Sequence, residues 1–165
     1  MEKRFAHVCL LVKDIDKAIE DYRAILNVVD PQQVEKQIVY YDDFGVDDER
    51  LAFATFPSPS LGCEIQFMEP RTPGTPLYER LQKVGEHVHH ICFTSSSVEN
   101  VVEDLQNNGV DIVDQGIVTD PQIPFQRWTF VHPKHSHGVL VELANNYDSV
   151  NGNWEQPAAE AVTTR

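Results

Sequence analysis

The sequence predicts an α+β fold made of two βαβββ modules, and two observations carry this prediction. A strand-like stretch that begins at His7 reads His, apolar, Cys, apolar, and the same order recurs from His90, 83 residues later. A helical pattern follows each stretch, and its apolar positions keep the same offset: Ile15, Ala18, Ile19 and Tyr22, then Val98, Val101, Val102 and Leu105. A repeat at a fixed offset is typical of a duplicated structural unit.

The first module, residues 5–69, takes the order strand, helix and three strands. Asp14 is a favourable N-cap for the helix, and Asp30-Pro31 marks its end. Gly- and Pro-containing turns separate the later segments. The strands are expected at residues 5–12, 34–41, 50–56 and 63–68.

The second module, residues 87–147, repeats this order after a Pro-rich linker, residues 70–86, that contains a short helix ending at Gly85. Ser97 is the N-cap of the module's helix, and Gly109 is its C-terminal stop. Its strands are expected at residues 88–94, 112–118, 125–132 and 138–144. We therefore expect one domain, residues 1–147, followed by a flexible C-terminal tail, residues 148–165, in which the apolar pattern is lost.

Composition narrows the class of protein. The chain has 165 residues, of which 41% are hydrophobic and 24% charged, and its formal net charge is −13. Nucleic acids and anionic membranes require a basic surface, so neither is an expected partner. The N-terminus has no signal-peptide pattern, and three cysteines are an odd number, so we expect reduced thiols and a cytoplasmic location. An anionic substrate would need a local cluster of Lys and Arg.

Strand alternation places polar side chains on one face of four strands. His7 and His90 each interrupt an apolar strand face, as do Gln66 and Glu142 in the last strands of the two modules. A carboxylate inside the run Val-Leu-Val-Glu-Leu-Ala is costly unless it is paired or bound to a metal. Two imidazoles, one carboxylate and one amide oxygen form a candidate divalent-metal site with room for water or substrate.

Several alternatives stay open at this point. A single strand histidine is more often a hydrogen-bonded structural residue than a ligand. Glu64 shares a strand face with Gln66 and competes with it. His89 adjoins His90, but strand alternation assigns it to the apolar face. The thiols that share the ligand face, Cys9 and Cys92, are candidate ligands, although small packing residues are the favoured interpretation.

These segments resemble the vicinal oxygen chelate superfamily, which includes glyoxalase I, bleomycin-resistance proteins, extradiol dioxygenases and methylmalonyl-CoA epimerase. The resemblance covers about residues 5–147 and is nearest to the epimerases. The segments that carry it are His7-Val8 with Asp14-Ile15-Asp16, Ile65-Gln66-Phe67-Met68-Glu69-Pro70, His89-His90-Ile91, Phe130-Val131-His132-Pro133-Lys134 and Gly138-Val139-Leu140-Val141-Glu142-Leu143. It implies a cupped mixed sheet around one divalent ion (Co, Ni, Mn or Zn) bound by His7, Gln66, His90 and Glu142.

The resemblance also implies a function, which is proton abstraction next to a thioester carbonyl by a metal-dependent epimerase or isomerase. Epimerisation needs an acid–base group on each side of the planar intermediate. Glu142 is expected on one side and Glu49 on the other, with Asp48 and Asp47 as alternatives. Arg127 and Lys134 are candidate substrate-binding residues, and a homodimer is expected. A glyoxalase I-type lyase acting on a hemithioacetal and a metal-free drug-binding protein are the alternative functions.

Overall fold

The computed structural model describes residues 5–46, 48–58 and 62–158. The helices are α1 (Ile15–Val29), α2 (Pro31–Val34), α3 (Pro76–Val84) and α4 (Val98–Asn107). The strands are β1 (Phe5–Leu11), β2 (Val39–Val46), β3 (Glu49–Phe56), β4 (Glu64–Pro70), β5 (His87–Ser95), β6 (Val118–Thr119), β7 (Arg127–Val131), β8 (Val141–Asn145), β9 (Asp148–Val150) and β10 (Asn153–Glu155).

One curled sheet joins the two modules. Within the described residues it contains eight strands in the order β2-β3-β4-β1-β5-β8-β7-β6, so the second half mirrors the first. β1 pairs in parallel with β4, and β5 pairs in parallel with β8. The modules meet where β1 and β5 run antiparallel, with His7 opposite Cys92 and Cys9 opposite His90. This topology confirms the predicted fold class of two βαβββ modules.

The two long module helices cover one face of the sheet and leave the other face for the site. The carboxylate of Asp14 accepts a hydrogen bond from the Lys17 amide (2.9 Å), and the Ser97 hydroxyl accepts one from the Asn100 amide (3.3 Å), so both predicted N-caps form. The packing of α1 includes Ile15, Leu26, Ala54, Phe56 and Phe67, and that of α4 includes Val98, Val102, Val131 and Leu143. Because strand side chains alternate, the residues between these face the interior of the curl.

The predicted boundaries differ from the structure in two strands. Val34, which was expected to begin a strand, is the last residue of the short helix α2, because Pro31 is well suited to the first helical turn, and β2 begins only at Val39. The strand expected at 112–118 is reduced to an isolated bridge between Ile112 and Val131 and the two-residue β6.

The C-terminal segment also differs from the expected flexible tail. Residues 148–155 form a hairpin of β9 and β10, whose turn places Asn151 and Gly152 at positive φ. The Trp154 ring packs against Tyr41 with ring centroids 5.0 Å apart and against Phe53 at 5.8 Å. This aromatic contact anchors the hairpin to the first module. Residues 159–165 of the expected tail lie outside the described residues.

The linker forms α3, which ends at Gly85 as predicted, with a φ of 83°. Its residue Leu81 is buried in a cluster with Cys9 and Leu11, so the linker helix packs over one end of the inner sheet face. None of the helices in the described part of the chain has the length and hydrophobicity needed to cross a membrane.

Candidate metal and active site

Three ligand-type side chains converge on the inner face of the sheet at the junction of the modules. The Nε2 atoms of His7 and His90 are 3.1 Å apart. Oε2 of Glu142 lies 2.8 Å from Nε2 of His90 and 3.6 Å from Nε2 of His7. The strand register explains this convergence, because Cys92 is the neighbour of both His7 on β1 and Glu142 on β8.

These separations fit a shared metal ion. Bonds of about 2.0–2.2 Å from nitrogen or oxygen to a divalent ion place neighbouring ligand atoms roughly 3.0–3.5 Å apart in tetrahedral or octahedral geometry. The three distances between His7, His90 and Glu142 span 2.8–3.6 Å. The donor set of two imidazoles and one carboxylate also matches the chemistry that such ions prefer.

Gln66 is buried on the same side of the sheet and lines the cavity described below. Its Nε2 lies 3.5 Å from the Thr55 hydroxyl, to which it donates, so its amide oxygen is the atom that would serve an ion. Glu64 does not compete with it, because its Oε2 accepts hydrogen bonds from Tyr147 (3.3 Å) and Ser149 (3.0 Å).

The two cysteines on this face differ in their relation to the cluster. The Cys92 sulfur and the ligand atoms of His7 and Glu142 all lie within 4.8 Å of one another, so Cys92 is an alternative ligand. Burial raises the pKa of the Cys9 thiol well above its ordinary value. Cys9 is therefore a protonated packing residue in the cluster that includes Leu11, as the sequence interpretation favoured.

The cluster places the Glu142 carboxyl group beside two buried imidazoles. Burial by itself would raise the pKa of Glu142, but its contacts with His90 and His7 outweigh burial and hold this pKa well below its ordinary value. Burial lowers the pKa of His7, although Glu142 opposes this effect. An unprotonated imidazole and an ionised carboxylate are the forms that bind metal.

His89 lies on the inner side of the sheet, and its assignment to the apolar face was wrong. The register between β1 and β5 shifts between Cys9 and Leu10, because Cys9 pairs with His90 but Leu10 pairs with Val88. A bulge of this kind rotates the extra residue away from regular alternation. Nδ1 of His89 is 2.8 Å from Nδ1 of His90. Burial, and to a smaller extent the neighbouring His90, lowers the pKa of His89 to about 3.

The cluster lies in a cavity of about 600 Å³. Eleven aromatic and aliphatic side chains line its walls: Phe44, Leu51, Phe53, Met68, Leu77, Ile123, Phe125, Trp128, Phe130, Tyr147 and Trp154. The end of β2 and the loop between β6 and β7 meet beside it, where the Gln122 side-chain oxygen accepts a hydrogen bond from the Gly45 amide (2.7 Å). No Lys or Arg is among the described residues that line this cavity.

Glu49 and Asp48 reach the cavity from the start of β3. Glu49 is on the same strand face as Leu51, Phe53 and Thr55, so it stands at the rim of the wall that also carries Gln66. Its Oε1 is buried and makes no hydrogen bond with the described residues. Asp47, the other predicted alternative, lies outside the described residues.

The predicted substrate-binding cations are not brought to the cavity. Arg127 pairs with Glu99 on α4, and Lys134 pairs with Asp111 in the loop before β6. Both side chains are more than one-third exposed and neither lines the cavity. Each was attractive in the sequence because it flanks the last hairpin, but an acidic neighbour in its own module holds it elsewhere.

Sequence reasoning missed three residues of the site. Tyr147 hydrogen-bonds to His7 with its hydroxyl oxygen 2.7 Å from Nδ1, and Trp154 lines the cavity from the C-terminal hairpin. Asp120 lines the cavity from the loop before β7, and its carboxylate accepts hydrogen bonds from the Gln122 and Ile123 amides. The one available signal was that Tyr147 lies shortly after the last strand of the second module, which carries Glu142 and ends at Asn145.

Comparison with known proteins defines the class. The family model of the Glyoxalase/Bleomycin resistance protein/Dioxygenase superfamily matches residues 4–125. The chain therefore belongs to this superfamily, which confirms the resemblance read from the repeat and its ligand-type residues. The matched range includes β1 to β5 and α4 but ends before β7, β8 and Glu142.

More particular similarity is to methylmalonyl-CoA epimerases. The chain is 28% identical to the mitochondrial methylmalonyl-CoA epimerase of Mus musculus over 142 residues, covering 85% of this chain and 71% of the relative. A structure of the Streptomyces coelicolor methylmalonyl-CoA epimerase, a variant in complex with 2-nitronate-propionyl-CoA, is 28% identical, with a TM-score of 0.64 and coverage of 88% and 99%. The uncharacterized protein YqjC of Bacillus subtilis is 25% identical over 145 residues, covering 85% of this chain and 90% of the relative.

Proposed function

We propose that this protein is a metal-dependent epimerase that removes and returns a proton next to a thioester carbonyl, with methylmalonyl-CoA as the substrate to test first. One observation carries the proposal. The ligand atoms of His7, His90 and Glu142 converge within 3.6 Å on the wall of a cavity that also contains Glu49, whose buried Oε1 has no hydrogen-bond partner among the described residues.

His7, His90 and Glu142, with the amide oxygen of Gln66, are the residues that would hold the ion. A bound divalent ion would supply a positive charge against which a carbonyl oxygen can become negative. The protein's own contribution is the placement of proton carriers. Glu142 lies beside both histidines at the ion site, and it is the proposed proton carrier on its side of the substrate.

Glu49 is the proposed carrier on the opposite side. A buried acceptor without a partner is costly, so a site that retains one is a site where a ligand or water satisfies it. Two variants of the Streptomyces coelicolor epimerase substitute a glutamate and a glutamine that stand 17 positions apart. Glu49 and Gln66 have the same separation in this chain. That agreement supports Glu49 over Asp48 and Asp47.

The charge of the cavity limits how a malonyl thioester would bind. Asp48, Glu49, Asp120 and Glu142 line the cavity, and the described lining contains no Lys or Arg. A substrate carboxylate inside it would therefore depend on the ion for its positive partner. We expect binding of the acyl group to require metal, while the nucleotide end of a coenzyme A substrate stays outside the apolar walls.

The test is a comparison of two reactions with the purified protein, stripped of metal and then loaded separately with Co²⁺, Ni²⁺, Mn²⁺ or Zn²⁺. In deuterated water, NMR should detect deuterium entering the α-position of methylmalonyl-CoA, together with inversion of the stereocentre. Isomerisation of a glutathione hemithioacetal is measured in parallel.

Exchange on methylmalonyl-CoA that appears only with metal supports the proposal. Isomerisation of the hemithioacetal without exchange on methylmalonyl-CoA would replace it by a glyoxalase I-type lyase. No reaction in either assay, with every ion bound, would contradict an acid–base enzyme of this substrate class and would favour a binding protein.

A further inference from the structure

A hydrogen-bonded chain of buried groups lies behind His7, on the side away from the proposed ion. Nδ1 of His7 is 2.7 Å from the Tyr147 hydroxyl oxygen. The Tyr147 hydroxyl donates to Oε2 of Glu64 at 3.3 Å, and the Ser149 hydroxyl donates to the same oxygen at 3.0 Å. His7, Glu64 and Tyr147 are each no more than 5% exposed, so the chain is shielded from water.

The protons of this chain can be assigned from valence alone. A phenol has one hydrogen, and here it is directed to a carboxylate oxygen that receives a second hydroxyl donor from Ser149. The contact between Tyr147 and His7 must then use the imidazole as donor, from Nδ1–H to the phenol oxygen. A neutral imidazole with hydrogen on Nδ1 has its lone pair on Nε2, which is the atom that faces Glu142 and His90.

From this geometry we infer that Tyr147 is a positioning residue for the metal site and that Glu64 is the anchor of Tyr147. The pair holds the His7 ring in one orientation and in the tautomer that presents Nε2 to an ion. This inference rests on the proposed metal site, but it concerns Tyr147 and Glu64, which are neither proposed ligands nor proposed proton carriers. Tyr147 and Ser149 lie beyond residue 125, where the match to the family model ends.

The two histidines are supported by different means. His90 is contacted at Nδ1 by the neighbouring His89 (2.8 Å), within one strand. His7 depends on a residue 140 positions away and on a carboxylate from the next strand, β4. The orientation of the His7 ring on β1 therefore depends on Tyr147, which directly precedes the β9–β10 hairpin, and on Ser149 within that hairpin.

The experiment compares wild type with Tyr147→Phe, which removes the hydroxyl and keeps the ring. Tyr41→Phe is the matched control, because Tyr41 contacts the same Trp154 ring and accepts a hydrogen bond from its backbone amide (3.3 Å). Glu64→Gln is the conservative variant, since its amide oxygen can still accept from both hydroxyls. Thermal unfolding of the metal-free proteins verifies that each variant folds.

The two measurements are the tautomer of His7 and the affinity of the protein for a divalent ion. Long-range ¹H–¹⁵N spectra of histidine in the metal-free protein report the tautomer of His7, which should carry hydrogen on Nδ1 in the wild type, Tyr41→Phe and Glu64→Gln. Tyr147→Phe should populate the other tautomer. Its affinity for Co²⁺ or Zn²⁺ in a chelator competition should fall about 10- to 100-fold, the usual cost of losing an outer partner of a metal-bound histidine.

A wild-type His7 with hydrogen on Nε2, or a Tyr147→Phe protein with an unchanged tautomer and unchanged metal affinity, would overturn the inference. Failure of the metal proposal is distinguishable, because no ion would bind to wild type while the tautomer could still be read. Loss of the tautomer in Tyr41→Phe as well would show that general loosening of the hairpin, rather than the hydroxyl, is responsible, and would also overturn it.

Discussion

The two modules share a plan but differ in the charge that they bring to the site. Each places a histidine on its first strand, and each has a polar residue in its last strand, Gln66 in the first module and Glu142 in the second. The amide is neutral, whereas the carboxylate is held ionised beside the two imidazoles. The duplicated βαβββ unit therefore accounts for the shared strands and histidines, and the difference between Gln66 and Glu142 accounts for the negative charge of the site.

The modules also differ in the acids at the cavity rim. Asp120, from the second module, uses one carboxylate oxygen to accept hydrogen bonds from two backbone amides at 2.8 and 2.9 Å. Glu49, from the first module, has a buried oxygen with no partner among the described residues. The difference indicates that Asp120 shapes its loop, whereas Glu49 is available for a ligand or a proton.

The first test removes the charge difference between the last strands of the two modules. Glu142→Gln replaces the anion by a second amide and leaves two buried imidazoles without their carboxylate. We expect the affinity for a divalent ion to fall by more than about 100-fold, beyond the usual range for an outer partner, and α-proton exchange to fall about 10²–10⁴-fold with the loss of a proton carrier.

Titration calorimetry and exchange in deuterated water check this expectation. The reciprocal variant Gln66→Glu is the control, since it adds a carboxylate of the same size and should still bind metal. Wild-type metal affinity in Glu142→Gln would mean that the charge asymmetry has no part in binding the ion.

The second test concerns the rim acid of the first module. Glu49→Gln keeps the shape of the side chain and removes its basicity, so exchange should fall by at least about 10²-fold while metal affinity stays unchanged. Residual exchange should be confined to one face of the substrate. Glu20→Gln, an exposed change on α1, controls for net charge. Full activity in Glu49→Gln would move the second carrier to Asp48 or Asp47, each then tested by its Asn variant.

The third test separates the cavity from the metal cluster. Trp154→Leu opens the wall that the C-terminal hairpin contributes, and we expect the KM for the thioester to rise roughly tenfold, as for the loss of contacts in an apolar pocket. Metal affinity should fall less than in Tyr147→Phe, because the Tyr147 hydroxyl remains and Trp154 meets the Tyr147 ring only edge-on at 6.5 Å. A Trp154→Leu protein with unaltered KM would exclude the hairpin from substrate binding.

The smallest expected effect concerns Asp120. Burial raises its pKa above the ordinary value of 3.8, against the two amide hydrogen bonds. A carboxyl whose folded pKa is raised binds protons more readily in the folded state, so its contribution to stability grows as pH falls through that pKa and is unfavourable at neutral pH. Asp120→Asn retains an acceptor for both amides and removes this dependence.

Urea unfolding from about pH 7 to about pH 4 checks the sign. At neutral pH the Asn variant should be as stable as wild type or more stable by up to about 1 kcal/mol, the scale of one pKa unit. That difference should shrink as pH falls. A stability loss in Asp120→Asn that grows with pH would contradict the raised pKa of this carboxyl group.

Much of the fold could be predicted because the repeat is local and periodic. Strand alternation and the 83-residue offset brought His7 and His90 to one face, and a carboxylate in an apolar strand marked Glu142. His89 was misassigned because a bulge depends on the pairing between strands, which a single strand does not encode. Tyr147 and Trp154 were not assigned to the site because their contacts join segments about 100 or more residues apart.

The side chains of Arg127 and Lys134 also could not be placed from the sequence. Both residues lie at the β7–β8 hairpin, as expected. The direction of a long side chain depends on its partner, however, and Glu99 and Asp111 supply partners away from the cavity. Sequence patterns therefore predict which strand carries a residue better than where a flexible charged side chain ends.

Anomalous X-ray diffraction from crystals loaded with Co²⁺ would show whether both modules build one metal site. We expect a single strong peak about 2.0–2.3 Å from Nε2 of His7, Nε2 of His90, a carboxylate oxygen of Glu142 and the amide oxygen of Gln66. A peak bonded to the sulfur of Cys92 in place of His90, or no peak at the junction of the modules, would contradict it.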